Sequence, residues 1–342
     1  MNYRHEIKIN ARFRGSSEKN GVHRYASSVS EALQKIEGLS VEEKIPPNFL
    51  SKGILGHIWE QIILPLTLKR TDILLSPCNF GPFFKRKQII IIHDTLVLDH
   101  KAHFKFPYRV WSNFFIRTIV LGRKRIVTVS ANSLKDLERN FLETKKQFQN
   151  IGMGINFATP KNNKGELKST SIHEKYFLFV GGHIKRKNLK FLIDLWQKLN
   201  LHSDIRLLVT YGDKNNSIHQ TNIIGHKNIE FKYLPDDEEL SNLYRNCQAL
   251  LWPSLGEGFG MPLLEVMSFG RPFIANDVGA ASELAVGGSK VLPLIENLWV
   301  KEIKHLQSKV NSPIERILQE SYKYTWDKVA KNIENICNDS FM

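Results

Sequence analysis

Two carboxylates, Glu257 and Glu265, bracket a turn made of glycines and a proline, Gly256-Glu257-Gly258-Phe259-Gly260-Met261-Pro262. Backbone N–H groups left open where such a turn enters a helix, together with the helix dipole, make an anion site suited to a phosphate. Glycine lets a ligand approach the backbone closely, and Pro262 suits a first helical turn, where its missing N–H costs nothing. Both carboxylates can face one ligand and accept hydrogen bonds from sugar hydroxyls. Spacing alone leaves a second reading open: Glu257 as a solvated loop charge, Glu265 as a carboxylate favoured by the helix dipole.

A second cluster is cationic. Gly181-Gly182-His183-Ile184-Lys185-Arg186-Lys187-Asn188 reads as a glycine turn after a strand, followed by a basic helix start. Arg186 and Lys187 beside such a turn are suited to neutralising a diphosphate leaving group, which gains charge as a glycosidic bond breaks. A solvated helix face presents the same residues. His93-Asp94 closes a strand, which puts the imidazole where a ligand would lie and Asp94 where it would orient the ring. A histidine at a strand end also serves as a core hydrogen-bonding residue, and that reading stays open. Gly15 to Gly21 forms a glycine-containing loop between a first strand and a helix.

The elements that must position these residues alternate between short apolar runs and helix-period segments, the pattern of α/β folding with parallel sheets. Strands are expected near Glu6–Asn10, Asp72–Ser76, Gln88–His93 and Arg125–Val129, with helices over Val22–Ile36 and Tyr108–Val120. A Lys/Asn/Ser-rich stretch, Lys161–Ser171, reads as a linker. Beyond it, strands are expected at Tyr176–Val180, Arg206–Val209, Ile229–Tyr233, Ala249–Trp252, Pro272–Ala275 and Lys290–Leu292. Helices are expected at Asn188–Leu199, Asp236–Asn246, Met261–Phe269 and Ala280–Ala285. Two such series in 342 residues imply two doubly wound domains, with ligands beyond the strand carboxyl ends.

From Pro253 to Glu265 the chain resembles the retaining glycosyltransferases of family 4, residue for residue, in the stretch Pro-Ser-x-x-Glu-Gly-Phe-Gly-x-Pro-x-x-Glu. The resemblance implies the GT-B fold, two Rossmann-like domains facing across a cleft: residues 1–160 on the acceptor side, 161–323 binding the nucleotide-sugar, and 324–342 a helix crossing back to the first domain. It implies that Glu257 meets donor sugar hydroxyls, that Glu265 meets the nucleotide ribose, and that backbone amides around Gly258, Phe259, Gly260 and Met261 hold the sugar or diphosphate. Gly181 and Gly182 with Arg186 and Lys187 are similar to the family's Arg-Lys-Asn element, in which the lysine contacts the diphosphate. Gly182 stands where some relatives carry an arginine. His93-Asp94 is similar to the family's His-Asp pair, whose histidine approaches the transferred sugar, and the loop from Gly15 to Gly21 to one that lines the cleft. Thr128–Ser133, Gly154-Ile155-Asn156, Pro235–Leu240 and Tyr324–Asp327 carry weaker matches.

Composition bounds the partners. The net charge is +14, and residues 1–160 carry 25 Lys and Arg against 13 Asp and Glu, so the excess lies in the first half. That half is expected to face something anionic: a phospholipid surface, a lipid-diphosphate carrier or nucleic acid. With the resemblance, the expected partner is a glycan or polyprenyl-diphosphate-linked acceptor. No nucleic-acid reading motif is seen. The apolar runs are shorter than the roughly 20 residues of a membrane span, and no signal-peptide core opens the chain, so a cytoplasmic enzyme, peripheral at the inner membrane face, is expected. Cys78, Cys247 and Cys337 lack metal or disulfide spacing.

The resemblance further implies transfer with retained anomeric configuration from a nucleotide-sugar, with UDP, GDP and dTDP all open. Lacking an Asp-x-Asp motif, the chain is expected to need no metal and no other cofactor. Its high Lys, Asn and Ile content, with the family match, is similar to enzymes of bacterial O-antigen or capsule synthesis, including mannosyl- and rhamnosyltransferases. Two alternatives stand beside this: a GT-B phosphorylase or disaccharide synthase acting on soluble sugar, and a non-catalytic binder of an anionic ligand.

Overall fold

The computed structural model describes residues 6–15, 20–99, 106–122, 124–144, 148–156, 176–181, 184–199, 205–211, 228–233, 236–308 and 314–341. Gly182, residues 16–19 of the glycine-containing loop and the expected linker lie outside them. Residues 1–156 and 324–342 form one compact unit and residues 157–323 a second.

In the first unit, strands β1 (Glu6–Asn10), β2 (Ser40–Lys44), β3 (Ile73–Ser76), β4 (Gln88–Ile91), β5 (Arg125–Thr128) and β6 (Gln149–Asn150) form a parallel sheet in the order β2-β1-β3-β4-β5-β6. β3 and β4 are buried throughout, as parallel strands covered on both faces must be. β2 is a charged edge strand absent from the sequence expectations. It is tied to its surroundings by Lys8 Nζ on Glu42 Oε2 at 2.5 Å and Arg14 Nη2 on Glu43 Oε1 at 2.8 Å.

Helix α1 (Gly21–Gln34) begins after Asn20, whose side chain accepts the His23 amide as an N-cap. The segment after β2 coils as α2 (Gly53–Ile58), a π-helical turn (Trp59–Ile63) and α3 (Leu64–Leu66). α4 (Leu96–Asp99), α5 (Phe106–Leu121) and α6 (Ala131–Asn140) follow.

The second unit contains β7 (Tyr176–Val180), α7 (Leu189–Lys198), β8 (Arg206–Tyr211), β9 (Ile229–Tyr233), α8 (Asp237–Asn246), β10 (Ala249–Trp252), α9 (Met261–Met267), β11 (Phe273–Ala275), α10 (Ala281–Leu284), β12 (Lys290–Val291), α11 (Glu296–Ser308) and α12 (Ile314–Ser321). Its sheet is again parallel, in the order β12-β11-β10-β7-β8-β9. Phe177, Leu207, Leu251 and Trp299 lie fully buried in its core, and each such Leu or Phe contributes roughly 1.5–3 kcal/mol of burial energy.

The chain then returns to the first unit, where α13 (Trp326–Phe341) packs on α1, with the Tyr25 and Trp326 rings 5.2 Å apart. Gly154 makes room for this, since a Cβ there would lie 2.4 Å from Trp326 Cδ2.

Candidate functional site

β10 is fully buried and ends at Trp252, so the turn that follows is held at the carboxyl edge of its sheet. The basic segment after β7 is stitched to that turn. Leu255 N donates to Arg186 O at 2.8 Å, and Asn188, held in the left-handed region at φ 56°, donates through Nδ2 to Pro253 O. Residues 70 positions apart in sequence thus form one constellation.

Glu257 is at its centre and is 8% exposed. Its Oε1 lies 2.8 Å from Lys187 Nζ, its Oε2 lies 2.8 Å from Arg186 Nη1, and Ser254 Oγ donates to Oε1 at 2.6 Å. Arg186 also donates to the Gly256 carbonyl. Lys187 Nζ sits 3.9 Å above the Trp252 ring, a cation–π contact. Glu257 is therefore no solvated loop charge, and Arg186 and Lys187 do not form a solvated face.

Burial works against the Glu257 charge, but the Lys187 and Arg186 cations outweigh it and hold the carboxyl below its usual range. Burial pushes the Lys187 ammonium down, and the neighbouring Arg186 adds to this against the pull of Glu257. Arg186 and Lys187 pair with Glu257 directly and Glu265 also acts on Lys187, so the two cations are set among two carboxylates.

Glycines open the space around it. Gly181, at φ 141°, lets the Lys187 stem pass, because a Cβ there would lie 3.2 Å from Lys187 Cγ. Gly279 turns against Glu257 and Phe259, whose carbonyl accepts the Ala280 amide. Gly260 caps α9 at φ 90°, and Met261 is the first helical residue. Trp252 Nε1 is a buried donor with no hydrogen-bond partner among the described residues, 3.5 Å from where a Gly260 Cβ would be.

Glu265 lies in the second turn of α9, 4% exposed, and its Oε2 accepts the Tyr244 hydroxyl at 2.8 Å. Ser254, Trp252, Tyr244 and Gly279 were not among the sequence candidates. Only Ser254 carried a signal, as part of the motif itself.

In the first unit, His93 follows β4 and is 6% exposed. Its Nε2 lies 2.8 Å from the Pro77 carbonyl, which can only accept, so Nε2 carries the proton. Burial lowers the imidazole to about 4, against a small opposing effect of that carbonyl, and the ring is neutral at pH 7. Asp94 accepts the Leu96 amide at the start of α4. Gly21 is the first residue of α1, and Gly15 packs on Ser51, where a Cβ would come within 2.3 Å of Ser51 Cβ.

Next to these residues is a cavity of about 580 Å³, at the carboxyl ends of β1 and β3, where ligands of parallel α/β sheets bind. Its floor is a polar network. Glu60, 3% exposed on the π-helical turn, accepts Asn10 Nδ2 at 2.6 Å and Arg12 Nη1 at 3.2 Å, and the same guanidinium nitrogen lies 3.1 Å from His57 Nδ1. Phe13, Phe80 and Tyr108 add aromatic walls. Asn79, at φ 65°, lines the cavity and accepts the His93 amide at 2.7 Å. Sequence reading placed no site residue at Asn10, Arg12, His57 or Glu60, although Asn10 and Arg12 stand directly at a strand end.

Residues 174–308 match the family described as glycosyl transferases group 1. This match is confined to the carboxyl-terminal half of the chain. It covers most of the second unit and contains the whole Glu257 cluster. Among similar proteins, the O-antigen chain mannosyltransferase RfbU of Salmonella typhimurium is 25% identical over 73% of this chain and 69% of its own. The D-rhamnosyltransferase WbpZ of Pseudomonas aeruginosa is 27% identical over 57% of this chain and 51% of its own.

Among solved structures, the sucrose-phosphate synthase of Thermosynechococcus elongatus superposes with a TM-score of 0.76 at 16% identity, covering 99% of both chains. Anabaena HepE, in complex with UDP and glucose, gives 0.68 at 14% identity, covering 98% of this chain and 100% of its own. The two parallel α/β units have the GT-B fold.

Proposed function

We propose that this glycosyltransferase moves a hexosyl group from a nucleotide-diphosphate sugar to a lipid-linked glycan acceptor, with retention of configuration and without a metal ion. The observation that carries the reading is the buried Glu257 carboxylate held between Arg186 and Lys187. A diphosphate entering this cluster meets two cations already desolvated and oriented, so they act on the charge that develops on the leaving group. Glu257 keeps further acceptor capacity for sugar hydroxyls. The Trp252 N–H, without a partner among the described residues and by the Gly260 turn, adds a donor for a ligand oxygen.

The departing phosphate deprotonates the acceptor on the same face of the sugar, so no enzymic nucleophile is called for. His93 is a positioning group in this reading, since a buried neutral ring that donates to Pro77 is no proton donor at pH 7. The Arg12–Glu60 cavity takes the acceptor: its carboxylate and amides suit hydroxyls, its aromatic walls suit sugar faces, and Arg12 and Lys52 suit a phosphate. Mannose or rhamnose as the transferred sugar is supported by what the relatives transfer. The acceptor is carried on the cytoplasmic face of an anionic membrane, to which the basic first half of the chain is drawn.

The test is a panel of UDP-, GDP- and dTDP-sugars screened by thermal shift, then assayed for transfer with and without a chelator. A donor that stabilises the protein and is turned over equally with chelator supports the reading. A panel in which no donor stabilises the protein, or a Glu257→Gln enzyme as active as wild type, overturns it.

A further inference from the structure

Two neighbouring stretches of the first unit turn their apolar side chains outward. Along α2, the π-helical turn and α3, Ile54, Ile58, Ile62 and Leu66 recur every four residues, with Ile54 at 79% and Leu66 at 81% exposure. The inward side of the same stretch is already filled by Trp59, Glu60 and Leu64, so the outer stripe is additional to the core. α5 repeats the arrangement: Phe106, Val110 and Phe114 keep the four-residue spacing and are exposed, while Ser112, Phe115, Ile116 and Ile119 face inward.

The stretches adjoin. The His57 ring lies 5.4 Å from Trp111 and 6.0 Å from Phe115, and Phe83, in the loop before β4, lies 6.3 Å from Phe114. Phe84, the next residue of that loop, is 88% exposed. Soluble monomers rarely expose a contiguous apolar surface of this extent.

Charge selects the occupant. Among the described residues of 52–70, 83–88 and 106–125, ten are Lys or Arg and one is acidic; that one, Glu60, is buried against Arg12. Aliphatic and aromatic side chains ringed by Lys and Arg, with no exposed acid among them, match the layered chemistry of an anionic bilayer: phosphates outside, acyl chains beneath. A protein partner would have to supply both an apolar patch and an acidic rim.

We propose that this face docks on an anionic bilayer, with Ile54, Ile62, Leu66, Phe84 and Phe114 entering the acyl boundary while Lys and Arg meet lipid phosphates. His57, Glu60 and Tyr108, on these same helices, line the Arg12–Glu60 cavity, so a lipid-linked acceptor would reach it without leaving the bilayer surface. This deepens the reading of a membrane-carried acceptor and rests on it for its purpose; the binding itself is measured without turnover.

The experiment is co-sedimentation of the full chain with vesicles of phosphatidylethanolamine and phosphatidylglycerol, against vesicles of phosphatidylcholine alone. Wild type should bind the anionic vesicles, and salt should weaken that binding without abolishing it, because the apolar contribution is not screened. The double substitution Ile62→Ser, Phe114→Ser should lower the partition coefficient at least about tenfold, the loss of two buried apolar side chains. Donor hydrolysis and melting temperature should stay at wild-type values in that variant. Charge reversal by Arg86→Glu with Lys87→Glu, away from the apolar stripe, should lower binding independently.

Equal partition of wild type and both variants, or wild-type binding that salt removes completely, overturns the proposal. So does a wild-type dimer in sedimentation velocity that the Ile62, Phe114 variant dissociates, which would make the face an interface between two copies. Absent vesicle binding with intact donor turnover sinks docking alone. Vesicle binding without turnover of any donor sinks the transferase reading alone.

Discussion

Lys187 Nζ and Glu257 Oε1 lie 2.8 Å apart, with side chains only 13% and 8% exposed. The contact joins the basic segment after β7 to the turn after β10, so it is both a structural tie and the heart of the proposed donor site. Replacing either residue with Ala leaves its partner buried without its main counter-charge, a loss of about 3–5 kcal/mol for a buried pair. Lys187→Ala should fall at the lower end, because Arg186 still neutralises Glu257. Each variant should also lose roughly 10²–10³ in turnover. Urea denaturation and initial-rate kinetics on the same preparations check this. Wild-type stability in both variants would show that the pair is not coupled as described.

Gly181→Ala separates backbone strain from displacement of the lysine. Its φ of 141° strains any side chain, and the new Cβ would press on the Lys187 stem at 3.2 Å. A destabilisation of about 1–3 kcal/mol is expected, with a raised donor KM. Gly38→Ala is the control, since its φ is 76° and nothing lies within 4 Å of a Cβ there. It should lose stability and keep the donor KM. A donor KM unchanged in Gly181→Ala would mean that Lys187 does not hold the donor.

His93 predicts an acid sensitivity. Its folded-state value near 4 lies below the 6.5 of the free side chain, so the unfolded chain takes up the proton first. Its contribution is complete above about pH 6.5 and is lost as pH falls toward 4, by about 2 kcal/mol at pH 5. In His93→Gln, whose amide can still donate to Pro77, the fall in melting temperature between pH 7 and 5 should be smaller. Parallel curves for the two proteins would disprove the burial account.

The proposed acceptor cavity is probed at Arg12. Arg12→Met keeps the stem and removes the guanidinium, leaving Glu60 with Asn10 as its remaining hydrogen-bond donor among those described above. Acceptor KM should rise by about tenfold or more, the worth of one charged hydrogen bond, while donor KM stays at the wild-type value. Equal change in both constants would move the acceptor elsewhere.

Much of this architecture is legible in the chain itself. β1, β7, β9 and β10 run over the residues that their apolar runs suggested. The Pro253–Glu265 motif marks the turn that carries Glu257, and the basic run after β7 marks the Arg186 and Lys187 that pair with it. Periodicity needs a polar face to set against the apolar one, and α2, the π-helical turn and α3 carry apolar side chains both inward, at Trp59 and Leu64, and outward, at Ile54, Ile58, Ile62 and Leu66, so they present no such contrast. β2 has no such signal either: Ser-Val-Glu-Glu-Lys has no apolar alternation, and it is a strand through its parallel ladder with β1, with Lys8 and Arg14 paired to its acids. The Arg12–Glu60 pair joins residues 48 positions apart, a relation that no local spacing encodes.

The return of α13 to α1 also governs the order in which the protein can be made. At the ~5–20 residues per second of translation, residues 157–323 are synthesised after most of the first unit but before the helix that covers it. Until that helix emerges, the surface that receives its buried Val329, Ala330 and Ile333 stays open. The nascent first unit must therefore wait, partly uncovered, while the second is able to fold to completion.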